Sequence, residues 1–182
     1  MKEIIKNSIV KNGLYAAGIL VGYTLLVYLL EMNMFSPVQG LLSLLISLGT
    51  LLTFAFLAIS TVRKQVETHR ITFLNAWLIS SLVIFIASFI SNVVSLLLMH
   101  VVDNAYYVAK YKEMMFKVAE QTDNNPDVMK RLQDGFNNIQ NFEISSLVTT
   151  LVTLFVSTAI LSAITALIAK KKDRIEDNIN AI

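Results

Sequence analysis

Residues 71–102 read ITFLNAWLISSLVIFIASFISNVVSLLLMHVV, and no Asp, Glu, Lys or Arg occurs between Arg70 and Asp103. About 20 residues of α-helix, each rising 1.5 Å, cross the hydrocarbon core of a bilayer. The stretch exceeds that length. It therefore predicts a transmembrane helix that tilts or projects beyond the membrane, with its core at residues 73–99.

Three further stretches without charged residues accompany it, at residues 12–30, 32–62 and 144–169. They predict spans at residues 12–30, 38–61 and 145–169. The 182-residue chain is 55% hydrophobic and only 15% charged, whereas about a quarter of the residues of a soluble domain are charged. We therefore expect an all-α fold in a single membrane domain, a bundle of four transmembrane helices.

Basic residues cluster beside the spans on one side of the predicted membrane. They are Lys2, Lys6, Lys11, Arg63, Lys64, Arg70, Lys170, Lys171, Lys172 and Arg174. Because Lys and Arg are retained on the cytoplasmic side, both termini are expected in the cytoplasm. A secretory signal peptide is the alternative for the basic N-terminus, but the apolar run is longer than a usual h-region and no A-x-A-like cleavage site follows it.

The segment between spans three and four mixes five basic with seven acidic residues, counted from Asp103 to Glu143. It predicts an extracytoplasmic amphipathic helical hairpin at residues 103–142. The first helix, ending near Gln121, could continue straight from span three, and the second begins at Pro126 after the N-cap Asn125. The apolar stripes are Tyr107, Tyr111, Met114, Met115 and Val118 in the first helix, and Met129, Leu132, Phe136, Ile139 and Phe142 in the second.

Two interpretations of these stripes remain open. In the first, the two helices bury their stripes against each other above the bundle. In the second, one set of side chains is partly exposed and contacts a partner protein or the outer lipid interface, where amphipathic aromatic residues are favoured. That set is Tyr106, Tyr107, Tyr111, Met114 and Met115. The partners expected are membrane lipids and another membrane or envelope protein.

Neutral polar residues form the candidate face inside the membrane. Span three carries Ser81, Ser88, Asn92 and Ser95, and span four carries Thr149, Thr153 and Ser157. They indicate either a polar path for a solute between the two spans or a stripe of interhelical hydrogen bonds. Gly18-x-x-x-Gly22 in span one and Ala159-x-x-x-Ala163 in span four favour close helix packing, within the bundle or between two copies.

The sequence contains few residues that could form a metal, catalytic or nucleotide site. His100 and Asp103 would share a helix face, but two ligands are too few for a metal site. His69 and Glu67 lie among basic loop residues, which mainly set topology. The chain contains no cysteine, and it lacks nucleotide, protease and calcium-loop motifs. We therefore expect no catalytic residue, no cofactor, no metal and no nucleic-acid partner.

Three features carry a family resemblance. They are the segment Gly13-Leu14-Tyr15-Ala16-Ala17-Gly18, the connection Val62-Arg63-Lys64-Gln65 followed by Ile71-Thr72-Phe73-Leu74-Asn75-Ala76-Trp77, and the long helical insert before the last span. With them the chain resembles the small bacterial membrane proteins grouped as domain of unknown function 4199. The resemblance covers nearly the whole chain and implies a multi-pass inner-membrane protein of Gram-negative bacteria, with no established activity.

Two functional hypotheses follow. The first is a non-enzymatic inner-membrane subunit, scaffold or assembly factor that uses its extracytoplasmic insert for contacts. The second is a small transporter or channel component with a polar path between spans three and four. The absence of an ionisable residue inside the spans argues against proton coupling within one subunit.

Overall fold

The computed structural model describes residues 2–65, 71–123, 125–141 and 144–180, with side chains described within residues 3–65, 71–123, 125–141 and 147–170. The helices are α1 (Lys2–Leu29), α2 (Pro37–Lys64), α3 (Phe73–Leu97), α4 (Asn104–Gln121), α5 (Pro126–Gln140) and α6 (Ile144–Asn180), with a π-helical turn at Leu98–Val102 after α3. No β-strand occurs within these ranges. Outside the described residues lie Glu67, His69, Arg70 and Phe142 of the sequence predictions.

Four of the helices are long and apolar enough to cross a membrane, which confirms the four-span prediction. The membrane-length segments are Glu3–Leu29, Pro37–Lys64, Phe73–Val102 and Leu147–Lys170. Consecutive spans run in opposite directions, so the start of α1 and the end of the fourth span lie at one end of the bundle, here called the termini end. The insert formed by α4 and α5 lies at the other end, here called the insert end.

Local signals explain where the helices begin. Ser36 caps α2 by accepting a hydrogen bond from the N–H of Gln39 at 3.3 Å, and Pro37 occupies the first helical position. Thr72 caps α3 in the same way through the N–H of Asn75, also at 3.3 Å. Ser and Thr at these positions satisfy backbone donors that a helix start leaves unpaired.

The termini end of the bundle is closely packed around α3, which contacts α1, α2 and α6. Its centre is a set of buried alanines, the alanine core: Ala16, Ala17, Ala55, Ala58, Ala76, Ala87, Ala166 and Ala169. Gly13 of α1 also allows close approach, because a Cβ there would lie 3.0 Å from Cγ2 of Ile86. Small side chains let helix backbones approach, so this end is filled by helix against helix.

The two small-residue motifs named from the sequence differ in what they contact. A Cβ added to Gly18 or Gly22 would meet no atom within 4 Å, and Ala159 is exposed. The glycine motif therefore does not pack within the bundle, whereas the carbonyl of Ala159 accepts a hydrogen bond of 3.3 Å from Nε1 of Trp77, where α6 meets α3. The sequence motif records spacing only, whereas α1 turns Ala16 and Ala17 toward its neighbours and Gly18 outward.

The sequence allowed the first insert helix to continue straight from span three, but in the structure the two helices are separated. The π-helical turn and the backbone of Asp103, at φ −150° and ψ 66°, end span three before α4 begins. The second helix begins as expected, since Asn125 accepts a hydrogen bond from the N–H of Asp127 at 3.0 Å. Helices α4 and α5 pack against each other, and both contact the π-helical turn.

Candidate functional site

All four membrane helices contribute to a cavity of about 700 Å³ in the half of the bundle nearer the insert. Helix α1 and the loop after it supply Leu20, Tyr23, Thr24 and Met34, and α2 supplies Ser43, Leu44, Ser47, Leu48 and Leu51. Helix α3 supplies Ser88, Ser91 and Asn92, and α6 supplies Thr149, Thr150, Thr153, Leu154, Ser157 and Leu161. Ligand pockets in proteins commonly have this volume.

The predicted polar face of span three is divided between packing and the cavity. Ser88 and Asn92 line the cavity together with the predicted face of span four. Ser81 instead donates a hydrogen bond of 2.8 Å to Oγ of Ser162, where α3 packs against α6. Ser95 is half-buried nearer the insert and does not line the cavity. The structure thus places a packing contact at Ser81 and a cavity wall at Ser88 and Asn92.

Several lining groups donate their hydrogen bonds to their own helix. Thr24 donates to the carbonyl of Leu20 at 3.0 Å, Ser47 to Leu44 at 3.0 Å, Ser157 to Leu154 at 3.1 Å, and Nδ2 of Asn92 to Ser88 at 2.8 Å. A hydroxyl has one proton and two lone pairs, so its oxygen can still accept a bond. These side chains therefore present mainly acceptor oxygens to the cavity.

A polar cluster on α1 and α2 was missed by the sequence reasoning, which considered spans three and four. Buried Gln39 donates from Nε2 to the hydroxyl of Tyr23 at 2.6 Å. The hydroxyls of Tyr23 and Ser43 share a further hydrogen bond of 3.2 Å. A signal was present, because Ser43 and Ser47 are four residues apart and so share a helix face.

A smaller cavity of about 350 Å³ adjoins the first beneath the insert. Its lining includes His100 at the end of span three and Asn138 of α5, and it shares Thr149 and Thr150 with the larger cavity. The two cavities thus border the same turn of α6. Together they extend the polar lining from the insert into the bundle.

The predicted pairing of His100 with Asp103 on one continuous helix face is not formed, because the helix breaks between them. The carboxylate of Asp103 accepts one hydrogen bond from the hydroxyl of Tyr28 and another from the N–H of Tyr106. Among the residues whose placement is described, no group of three or more His, Asp or Glu side chains could hold a metal ion.

The tyrosines of the insert form an aromatic cluster against the first loop. Tyr107 is only 1% exposed and Tyr111 9%, and burial raises the pKa of Tyr107 to about 12. The ring of Tyr28 lies 5.3 Å from that of Tyr106 and 6.3 Å from that of Tyr107. The hydroxyl of Tyr106 donates to the carbonyl of Met32 at 3.0 Å. These contacts hold the insert to the bundle.

The set proposed for contact with a partner is therefore divided. Tyr107 and Tyr111 are buried and offer almost no surface, because both pack inside the protein. Tyr106, Met114 and Met115 are partly exposed. Met115 also lines a groove of about 390 Å³ between α4 and α5, with Lys112, Phe116, Ala119, Met129, Gln133 and Phe136.

The four apolar helices and the open cavity between them define a multi-pass α-helical membrane protein with a candidate site lined by uncharged residues. The chain belongs to the family described as protein of unknown function (DUF4199), whose model matches residues 11–171. No protein with a curated description and no solved structure matches the chain. Any functional assignment must therefore be argued from the chain's own residues.

Proposed function

We propose that this protein is a non-enzymatic integral membrane protein that receives an uncharged molecule in the four-helix cavity, as a small transporter or channel component. The observation that carries the proposal is the cavity's lining, in which eleven of the eighteen side chains are neutral polar groups and the described residues supply no Asp, Glu, Lys or Arg. Neutral polar groups at membrane depth are stabilised by hydrogen bonds to a polar ligand or to water.

The same lining argues for an uncharged ligand. An ion moved to membrane depth loses hydration, and a protein normally compensates with opposite charges or with rings of carbonyl groups. The cavity instead offers hydroxyl groups and the amide of Asn92. Such groups compensate the burial of hydroxyl or amide groups on a ligand, but not that of a full charge.

Toward the termini end the cavity borders the packed core, since Leu20 and Leu51 of its lining belong to the same cluster as the alanine core. We place both termini in the cytoplasm of a bacterial inner membrane, because Lys and Arg concentrate at the termini end. In that orientation the cavity belongs to the outward half of the bundle. The structure then corresponds to a state that binds from the outward side, and release inward would require the core to separate.

Native mass spectrometry of protein released from its own membranes tests the proposal. Wild-type protein should retain an uncharged adduct, and Asn92→Leu should retain much less of it. Asn75→Leu is the matched control, because Asn75 is exposed at the opposite end of the same helix. Wild-type protein that carries no more adduct than Asn92→Leu would contradict the proposal.

A second candidate function, as a subunit, scaffold or assembly factor, is favoured by one feature of the insert. Phe116 is 71% exposed and lines the groove between α4 and α5 together with Met115, Met129 and Phe136. Adjoining apolar side chains of this kind mark a candidate surface for protein contact. A photo-crosslinking residue at position 116 should then capture one defined envelope protein. The capture should be lost when Met115 and Met129 in the groove are both replaced by Ser, and kept when exposed Glu120 is replaced.

A further inference from the structure

We propose that the ligand of the cavity is an uncharged, hydroxyl-bearing lipid that enters sideways from the bilayer between α2 and α6. The inference rests on the proposed function and names its ligand class. Three observations carry it: where the cavity opens, how its polarity changes with depth, and which hydrogen-bonding groups it presents.

The opening is lateral. Of the cavity's lining, Thr149, Thr153 and Ser157 of α6 are exposed, and Leu44 of α2 is 52% exposed. Leu20 and Leu51 on the inner wall are 7% and 6% exposed. Surface exposed at the depth of the spans faces lipid, so the mouth between α2 and α6 opens onto acyl chains.

The lining of the cavity becomes more apolar toward the termini end. A lipid whose headgroup lies near the insert requires this direction. On α1, α2 and α6 the lining residue nearest the termini end is a leucine: Leu20, Leu51 and Leu161. Serine, threonine and tyrosine side chains on the same helices lie nearer the insert, with Leu44, Leu48 and Leu154 among them. Thr149 and Leu161 are about 18 Å apart along α6 at 1.5 Å per residue. A lipid of the leaflet at the insert end would place its headgroup among the hydroxyls and its chains toward the leucines.

Four of the lining side chains favour a ligand that donates hydrogen bonds. Thr24, Ser47 and Ser157 give their protons to carbonyls of their own helices, and Asn92 gives its Nδ2 to Ser88. Within the described part of the chain, Oδ1 of Asn92 accepts no hydrogen bond. The four acceptor oxygens at this depth are matched by ligand hydroxyl groups.

Photolabelling in proteoliposomes tests this assignment. The probe is a 1,2-diacylglycerol that carries a diazirine and an alkyne in one acyl chain. Phosphatidic acid with the same chains supplies the charged comparison, and the 3-acetyl ester of the diacylglycerol supplies the comparison without a hydroxyl donor. We expect diacylglycerol to label α2 and α6 peptides that line the cavity, and phosphatidic acid to label them at least about tenfold less, because a buried charge costs at least that factor.

Variants separate the cavity from the general lipid surface. Asn92→Leu should reduce diacylglycerol labelling about fivefold, the factor expected for one lost hydrogen bond, and Asn75→Leu should leave it unchanged. If Asn92→Leu does not fold, Thr153→Val at the exposed mouth is used instead, and it should also reduce diacylglycerol labelling. Equal labelling by all three probes, or labelling unaffected by a folded cavity variant, would overturn the assignment.

The two proposals fail in distinguishable ways. A water-soluble uncharged adduct in native mass spectrometry, together with no specific diacylglycerol labelling, would overturn the lipid assignment and leave the proposed function in place. No retained adduct and no specific labelling would overturn both.

Discussion

The hydroxyl of Tyr28 donates a hydrogen bond of 3.1 Å to Oδ2 of Asp103, which joins the end of the first span to the start of the insert. The other carboxylate oxygen, Oδ1, accepts a bond of 3.0 Å from the N–H of Tyr106 and caps α4. One side chain thus begins a helix and holds that helix to the bundle. The insert's position depends on this pair as well as on apolar packing.

Replacing Tyr28 by Phe should loosen the insert while leaving the spans intact. The change removes one hydrogen bond to a carboxylate and keeps the ring that packs on Tyr106 and Tyr107. We expect a measurable loss in the stability of the docked insert. Hydrogen exchange should become faster in α4 and α5 and remain unchanged in α3. Tyr15→Phe is the control, since Tyr15 is 55% exposed on the same helix, and equal effects of both changes would contradict the prediction.

Gly135→Ala should destabilise the insert, although Ala is the better helix former by about 1 kcal/mol. A Cβ at this position would overlap the hydroxyl of Tyr111, which packs directly over the glycine. We expect a net loss of about 1–3 kcal/mol, as is usual for overpacking. Adding Tyr111→Phe should recover part of the loss, because it removes the oxygen nearest the new methyl group.

The matched control for this change is Gly22→Ala. A Cβ there would meet no atom within 4 Å, so helix propensity alone should act and the bundle should become slightly more stable. Thermal unfolding in detergent and proteolysis of the insert measure both variants. A stabilised Gly135→Ala protein would show that the tyrosine and glycine are not in contact.

Features fixed by local physical chemistry could be predicted from sequence. Charged side chains are costly in a bilayer, so gaps between them predict spans. Asn125 and Pro126 predict the start of α5 because a cap and a proline act within one turn. The break at Asp103 was not predicted, because its carboxylate bonds to Tyr28, 75 residues earlier.

The candidate cavity was predictable only in part, for a related reason. The seven-residue spacing of Ser81 and Ser88 correctly places both on one side of α3. Whether a residue on that side meets a helix or a cavity depends on where α3 and α6 separate. Ser81 meets Ser162 at 2.8 Å, whereas Ser88 lines the cavity. Helix separation is a property of the whole bundle and has no local signal.

Thr158→Val should stabilise the bundle. Among the described side chains, Oγ1 of Thr158 is the buried oxygen without a hydrogen-bond partner. Replacing the hydroxyl by a methyl group of similar shape removes the cost of burying it, and we expect a gain of about 1 kcal/mol. Unfolding in mixed detergent micelles measures the change, and a destabilised variant would indicate a partner for this hydroxyl.

Ser162→Ala, four residues further along α6, should instead destabilise the bundle. The hydroxyl of Ser162 accepts from Ser81 at 2.8 Å and donates to the carbonyl of Ala159 at 3.0 Å. Its removal should cost about 0.6 kcal/mol, the average for a hydrogen bond between membrane helices. Ser81→Ala combined with Ser162→Ala should cost less than the sum of the two single changes, and strict additivity would argue against the pair.

Tyr107 should titrate later than an exposed tyrosine. Burial raises its pKa to about 12, against about 10 in an unfolded chain. Its protonated form therefore stabilises the folded insert fully below pH 10, and that contribution, of order 2 kcal/mol, is lost as the pH rises from 10 to 12. The difference in phenolate absorbance between the wild-type protein and the Tyr107→Phe variant should rise near pH 12. A difference that rises near pH 10 would mean that the ring is accessible.

The orientation of the bundle can be tested by labelling single introduced cysteines. The chain contains no cysteine of its own that would also react. Phe116→Cys on the exposed face of the insert and Gln65→Cys at the end of α2 report on opposite ends of the bundle. Lys and Arg cluster beside Gln65, so that end should be cytoplasmic. A membrane-impermeant maleimide should then label position 116 in intact cells, and position 65 only after the membrane is permeabilised. The reverse pattern would invert the topology and place the cavity in the inward half of the bundle.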